Sequence, residues 1–249
     1  MNATRIFFLT IICCSCLHPF LRAQPPEKQR AMEALRSLSD RYRNYKNLSF
    51  NISYRYSSED KPGIYLDSLK GAFSMSGSRY RYVIDSTEFI GSAALTLVVY
   101  KQDKVLFLSK TPAVPQAGNP IALLDSIVLK NDSVNCRLTE TKELQKIQLS
   151  FTAGSAMKQL EYTIDRKSGL VSRITQVVPA KQLYDPSVSS LVEGNASYAI
   201  VEILFMNYRE GGFEERELDL GRYIKKEGAQ YVPVAPYESY KIFLATPDL

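Results

Sequence analysis

The sequence predicts an α+β fold that is mostly β. It is a strongly curved antiparallel sheet (an incomplete β-barrel), with an N-terminal helix and a short internal helix covering its apolar face. Three observations predict it. A helical period occupies residues 25–46, and strict two-residue alternation then recurs along most of the chain. The chain also has 16 tyrosines and no tryptophan, a composition rich in aromatics that favour strands.

The helix comes first. Pro25 and Pro26 suit a helix start. Ala31, Leu35, Leu38, Tyr42 and Tyr45 then recur at three- and four-residue spacing, with Lys28, Arg30, Glu33, Arg36 and Asp40 on the remainder. Such a helix lies with its apolar stripe on something.

Past Asn47 the period changes. Leu48, Phe50, Ile52, Tyr54 and Tyr56 alternate with Ser49, Asn51, Ser53 and Arg55, the pattern of a strand with one wet face. Residues 79–84, 147–151 and 160–164 repeat it. Leu95 to Tyr100 and Val105 to Leu108 are more continuously apolar and pair across Gln102-Asp103. Asp165-Arg166-Lys167-Ser168-Gly169 reads as a hairpin turn, with glycine where positive φ is needed. Residues 197–208 make another strand, and 229–245 one or two more. A second helix fits Pro120 to Leu129, and 180–195 reads as a long loop with a turn of helix. One apolar face per strand must be covered by the helices or enclose a cavity.

Residues 1–23 have the parts of a secretory signal: Arg5, the apolar run Ile6 to Cys16, and Leu21-Arg22-Ala23 before Gln24. The expectation is export to the periplasm or outside, with cleavage after Ala23. Lipid anchoring at Cys16 is the alternative, although Cys13 and Cys14 fit a lipidation box poorly. Residues 24–249 then form a single half-barrel domain. Cleavage removes Cys13, Cys14, Cys16 and the only histidine, His18, leaving Cys136 alone. An intramolecular disulfide is thereby excluded. Two of the 31 basic residues leave while all 26 acidic ones stay, a mixed surface unlike that of a nucleic-acid binder.

Without histidine, Ser-His-Asp, Cys-His and His/Cys zinc chemistry drop out of the mature chain. No dinucleotide or phosphate-loop fingerprint is present. Neither metal nor cofactor is expected. Ser155-Ala156-Met157-Lys158 fits S-x-x-K and Lys167-Ser168-Gly169 approaches K-T-G. They flank strands of one hairpin, however, and read as turn chemistry. Glu59-Asp60 and Glu214-Glu215 read as solvated charges rather than a glycosidase pair, and Cys136 reads as a small hydrophobe.

The order of elements resembles a known family. Leu48 to Tyr54 resembles the first strand of the LolA/LolB-like periplasmic lipoprotein carriers. Gly71 to Tyr82 is similar to their second and third strands, and Val98 to Leu108 to their next hairpin. Leu160 to Ile174 resembles a hairpin with an Asp-containing turn, and Ile203 to Tyr208 a late strand. The resemblance implies an incomplete barrel closed by helices over an apolar cavity that shelters acyl chains. It implies no catalysis, and acylated lipoproteins or lipid as partners, with envelope membrane proteins besides and a monomeric state. The cavity lining expected from the strand pattern is Phe50, Ile52, Tyr54, Phe73, Met75, Tyr82, Leu97, Leu106, Leu149 and Tyr162. The alternative is an envelope protein-binding or sensing module on the same scaffold, with the cavity filled by its own side chains.

Overall fold

The computed structural model describes residues 27–111, 134–183 and 197–246. The signal segment with Cys16 and Ala23, the helix expected at 120–129, and most of the 180–195 stretch lie outside them.

Helix α1 (Glu27–Asn44) buries Ala31, Leu35, Leu38 and Tyr42, the stripe set by its spacing. Glu27 in its first turn and Arg41 and Arg43 in its last match the helix dipole.

Two antiparallel meanders follow. The first comprises β1 (Asn47–Ser58), β2 (Tyr65–Ser76), β3 (Arg79–Ile84), β4 (Thr87–Gly91), β5 (Leu95–Tyr100) and β6 (Val105–Lys110). The second comprises β7 (Asn135–Glu140), β8 (Leu144–Ser150), β9 (Gln159–Asp165), β10 (Leu170–Pro179) and β11 (Tyr198–Arg209). Because β11 pairs antiparallel with β1, the two meanders merge into one sheet. The expected turn at 165–169 joins β9 to β10. There the Asp165 carboxylate accepts the Ser168 N–H at 2.7 Å and its O–H at 2.8 Å, and Gly169 has φ +68°. These two bonds hold the Asp165 carboxyl below the ordinary carboxylate range.

The C-terminal segment adds what the alternation did not specify. Strands β12 (Ile224–Glu227) and β13 (Gln230–Pro233) form a separate hairpin. The last strand, β14 (Lys241–Leu244), pairs parallel with β6. The large sheet is therefore mixed rather than wholly antiparallel. A parallel neighbour requires a long crossover, and residues 111–240 supply it. The order is β14-β6-β5-β4-β3-β2-β1-β11-β10-β9-β8-β7. Its two ends remain edges, so the barrel is incomplete.

At the β7 edge, α1 covers the strand. The Glu27 carboxylate accepts the Leu138 N–H at 3.2 Å, and Arg30 pairs with Glu140 at 3.2 Å. An otherwise open strand edge is thus blunted by a helix.

Candidate functional site

Register places the side chains. Directly opposed residues in a sheet share a face, so the pairings can be followed strand by strand. Phe50 opposes Phe73, which opposes Tyr82. Tyr82 opposes Phe89, Phe89 opposes Val98, and Val98 opposes Phe107. Phe107 opposes Phe243. On the other side, Ile52 opposes Phe205, and Tyr54 opposes Ile203, which opposes Ile174. Ile174 opposes Tyr162, Tyr162 opposes Ile147, and Ile147 opposes Leu138. One apolar inner face therefore runs across all twelve strands.

That face has two halves. In the first, α1 presses Ala31, Leu35, Leu38 and Tyr42 into a buried cluster with Leu48, Phe50, Ile147, Leu149, Leu160 and Tyr162. Each large apolar side chain buried here contributes about 1.5–3 kcal/mol. Tyr162 sits within it, and burial raises its phenol well above the ordinary tyrosine value.

Among the described residues, no helix covers the second half. Beyond Phe73, the strip passes through Tyr80, Tyr82, Phe89 and Val98, all half-buried. It ends on Phe107 and Phe243, which are 41% and 50% exposed, beside Tyr100 at 40%. Its rings are ordered. Phe50 and Phe73 stack with centroids 5.0 Å apart, and Tyr82 and Phe89 stack at 5.6 Å.

Two glycines permit this. A Cβ at Gly71 would lie 2.5 Å from the Val83 carbonyl oxygen and 3.5 Å from the Tyr82 ring. A Cβ at Gly91 would collide with the Tyr80 ring, which lies across it. Without a side chain at 91 the Tyr80 ring leans across the sheet, and without one at 71 the Val83 carbonyl approaches closely.

Leaning over Gly71, Tyr82 donates its hydroxyl to the Tyr54 hydroxyl at 3.0 Å. The Tyr82 phenol is raised far above its ordinary value, by burial first and then by Tyr54. Tyr56, on the same face of β1, is also raised, by burial and then by its neighbours Tyr54 and Asp67.

The residues expected to line the site separate cleanly. Phe50, Ile52, Phe73, Leu149 and Tyr162 are buried in the inner-face cluster, and Tyr54, Met75 and Tyr82 pack half-buried against it. Leu97 and Leu106 do not join them. They lie on the outer face with Ile90, Val99, Leu108, Tyr223 and Ile224. A continuously apolar strand carries no phase, and a one-residue choice exchanges faces. The inner-facing apolar members of these strands are Val98, Tyr100, Val105 and Phe107.

The outer face of β4–β6, expected to be solvated, is covered by the C-terminal segment. Within that cover, Glu88 is 2% exposed. It accepts the Tyr223 hydroxyl at 2.7 Å and pairs with Arg81 and, at 3.0 Å, with Lys101. Burial pushes its carboxyl up. Hydrogen bonds from Tyr223 and Arg81 outweigh burial and leave it below the ordinary range.

The other chemical candidates are structural. Lys158 pairs with Glu59, and Ser155 lies 3.5 Å from the Thr152 hydroxyl. Glu215 pairs with Arg79 at 2.8 Å. Cys136 faces inward at the edge of the buried cluster, where burial raises its thiol. Among the described residues, no group of three or more His, Cys, Asp or Glu side chains is placed to hold a metal. No described helix is long and apolar enough to cross a membrane. A cleft of about 710 Å³ beside α1 is lined by Glu33, Arg36, Asp40, Arg41 and Glu210, a polar surface unlike the open strip.

No family model matches the chain, and no curated protein sequence matches it. Some solved structures align with it over most of their length, at low identity and TM-scores below 0.5. An uncharacterised conserved protein from Thermus thermophilus aligns at 10% identity and TM-score 0.45, over 88% of this chain and 99% of the other. A LolA superfamily protein from Nitrosomonas europaea aligns at 6% and 0.35, over 77% and 98%. The Mycobacterium tuberculosis lipoprotein LppX aligns at 10% and 0.36, over 74% and 98%. Alignments at these scores carry no functional meaning for this chain, and its own geometry must supply the function.

Proposed function

We propose that the protein is an exported, non-catalytic binder of acyl chains. Its ligand, a lipid or the lipid-modified end of a lipoprotein, lies along the open half of the inner face. One observation carries the reading: the apolar strip continues from the filled core, past Tyr82 and Phe89, to the exposed rings of Phe107 and Phe243. Contact with a ligand methylene is worth about 0.8 kcal/mol when it is fully buried, so a chain of several carbons along this strip binds without any single decisive residue.

Native mass spectrometry after gentle purification tests it. A co-purified lipid or acylated peptide supports the reading. A clean unliganded mass, together with no uptake of a neutral apolar fluorophore, rejects it.

A second reading, contact with an envelope protein, is favoured by a different feature. The β1–β2 hairpin carries Ile64 and Leu66 at 62% and 50% exposure. Its marker is a partner whose capture is lost on Ile64→Ser/Leu66→Ser while fluorophore uptake is unchanged.

A further inference from the structure

The inner face is not apolar throughout, and its polar corner has unspent donors. Tyr82 donates to Tyr54, so the Tyr54 hydroxyl acts as acceptor there, and no described residue accepts its own hydrogen. No described residue takes the Tyr56 hydroxyl, which is half-buried. Val201 opposes both Tyr56 and Gln176, which puts Gln176 in the same row with a side-chain amide that no described residue engages. Asp67 opposes Tyr56 from the other side. The row Asp67, Tyr56, Val201, Gln176, Leu160 contains a carboxylate and no cation.

Donors without a positive charge suit a particular head group. A carbonyl oxygen of an ester or amide accepts from phenol and amide hydrogens at no electrostatic cost. A carboxylate or phosphate brought to the same place meets the Asp67 carboxylate, and the row itself offers no Lys or Arg to pair with it. The corner also adjoins the open strip, because the Tyr82 ring that contacts Phe89 is the one that reaches Tyr54.

We propose that Tyr54, Tyr56 and Gln176 form the head-group end of the site, and that they select neutral acyl esters or amides over free fatty acids and phosphate-terminated lipids. This rests on the acyl-chain reading above and adds the specificity.

The test is displacement of a bound neutral fluorophore by monolaurin and by laurate, which share one acyl chain, at neutral pH. Monolaurin is expected to compete about tenfold better or more. Tyr54→Phe and Tyr56→Phe should each weaken monolaurin by about fivefold, the value of one hydrogen bond, and leave laurate unchanged. Asp67→Asn should strengthen laurate. Equal competition by the two ligands, or equal losses for both in the tyrosine variants, overturns the head-group assignment while the acyl-chain reading stands. Failure of fluorophore, monolaurin and laurate alike to bind overturns both. Thermal unfolding of each variant shows whether the fold is intact, and the tyrosine-to-phenylalanine changes keep the ring and its packing.

Discussion

Tyr42 on α1 and Tyr208 on β11 join their hydroxyls at 2.7 Å and together close a ring on one backbone residue. The Val171 N–H donates to Tyr42 at 3.2 Å, and Tyr208 donates to the Val171 carbonyl at 2.9 Å. Since the Tyr208 hydrogen goes to Val171, Tyr42 is the donor between the two phenols. Val171 precedes a register shift in β10 opposite β9, where the ladder leaves backbone groups to be satisfied otherwise. The two tyrosines satisfy them and fix the C-terminal end of α1 over the sheet.

Removing either phenol therefore leaves a buried backbone group unpaired. Tyr208→Phe, which strands the Val171 carbonyl, is expected to cost about 1–3 kcal/mol. Tyr42→Phe should cost a similar amount. The double variant should cost less than the sum, because the residues share one network. Urea unfolding followed by circular dichroism measures all three.

The same pair makes the protein sensitive to base. Burial pushes the Tyr42 phenol up to about 12 from an ordinary value of 10.0, and raises Tyr208 as well. The folded state then holds its protons more tightly than the unfolded one between those values. Stability attributable to the pair is complete below pH 10.0 and falls as the pH rises toward about 12. Denaturation midpoints should decline over that window in the parent protein. The decline should be shallower in Tyr42→Phe/Tyr208→Phe.

Glu88 gives the opposite dependence on the other face. Its carboxyl lies below its ordinary value of 4.5, so its stabilising effect is present above that value and is lost as the pH falls through the lower, folded-state value. Glu88→Gln should loosen the C-terminal cover from β4. Arg81 and Lys101 are partly exposed, at 24% and 41%, so the loss should be about 1–3 kcal/mol, below that of a fully buried pair. Limited proteolysis should cut the variant first within 213–240, at a pH where the parent resists.

The glycine positions make a further prediction. Gly71→Ala forces its Cβ to 2.5 Å from the Val83 carbonyl, a backbone atom that cannot swing aside. A loss of about 1–3 kcal/mol is expected from such overpacking, and the Tyr82–Tyr54 hydrogen bond should weaken with it. Unfolding by urea measures the first. A downward shift of the Tyr82 phenol titration by ultraviolet difference spectroscopy reports the second.

Much of this was legible in the residues. Phe50, Ile52 and Tyr54 declared their common face because polar residues stand between them, and α1 declared its stripe by spacing. Leu97 and Leu106 did not, because β5 and β6 carry apolar residues on both faces, the outer one under the C-terminal segment and the inner one exposed, and such a run has no alternation to read. The cover itself was hidden for a similar reason. Tyr223 and Ile224 are sparse anchors in a polar segment, held by long-range contact with Glu88 and Ile90 rather than by any local period. The open strip could be seen only once register had paired Phe89, Val98, Phe107 and Phe243. Gly71 and Gly91 were readable as glycines, but not as the places where the Val83 carbonyl and the Tyr80 ring come close.

The most direct measurement is equilibrium titration of a neutral apolar fluorophore into the parent protein, Phe107→Asp and Leu244→Asp. Both substituted side chains are exposed, at 41% and 49%, but Phe107 lies on the inner strip while Leu244 opposes outer-facing Leu108. Saturable binding by the parent, weakened about tenfold or more in Phe107→Asp and unchanged in Leu244→Asp, is the predicted result. No saturable binding, or equal loss in both variants, contradicts a ligand site on the inner face.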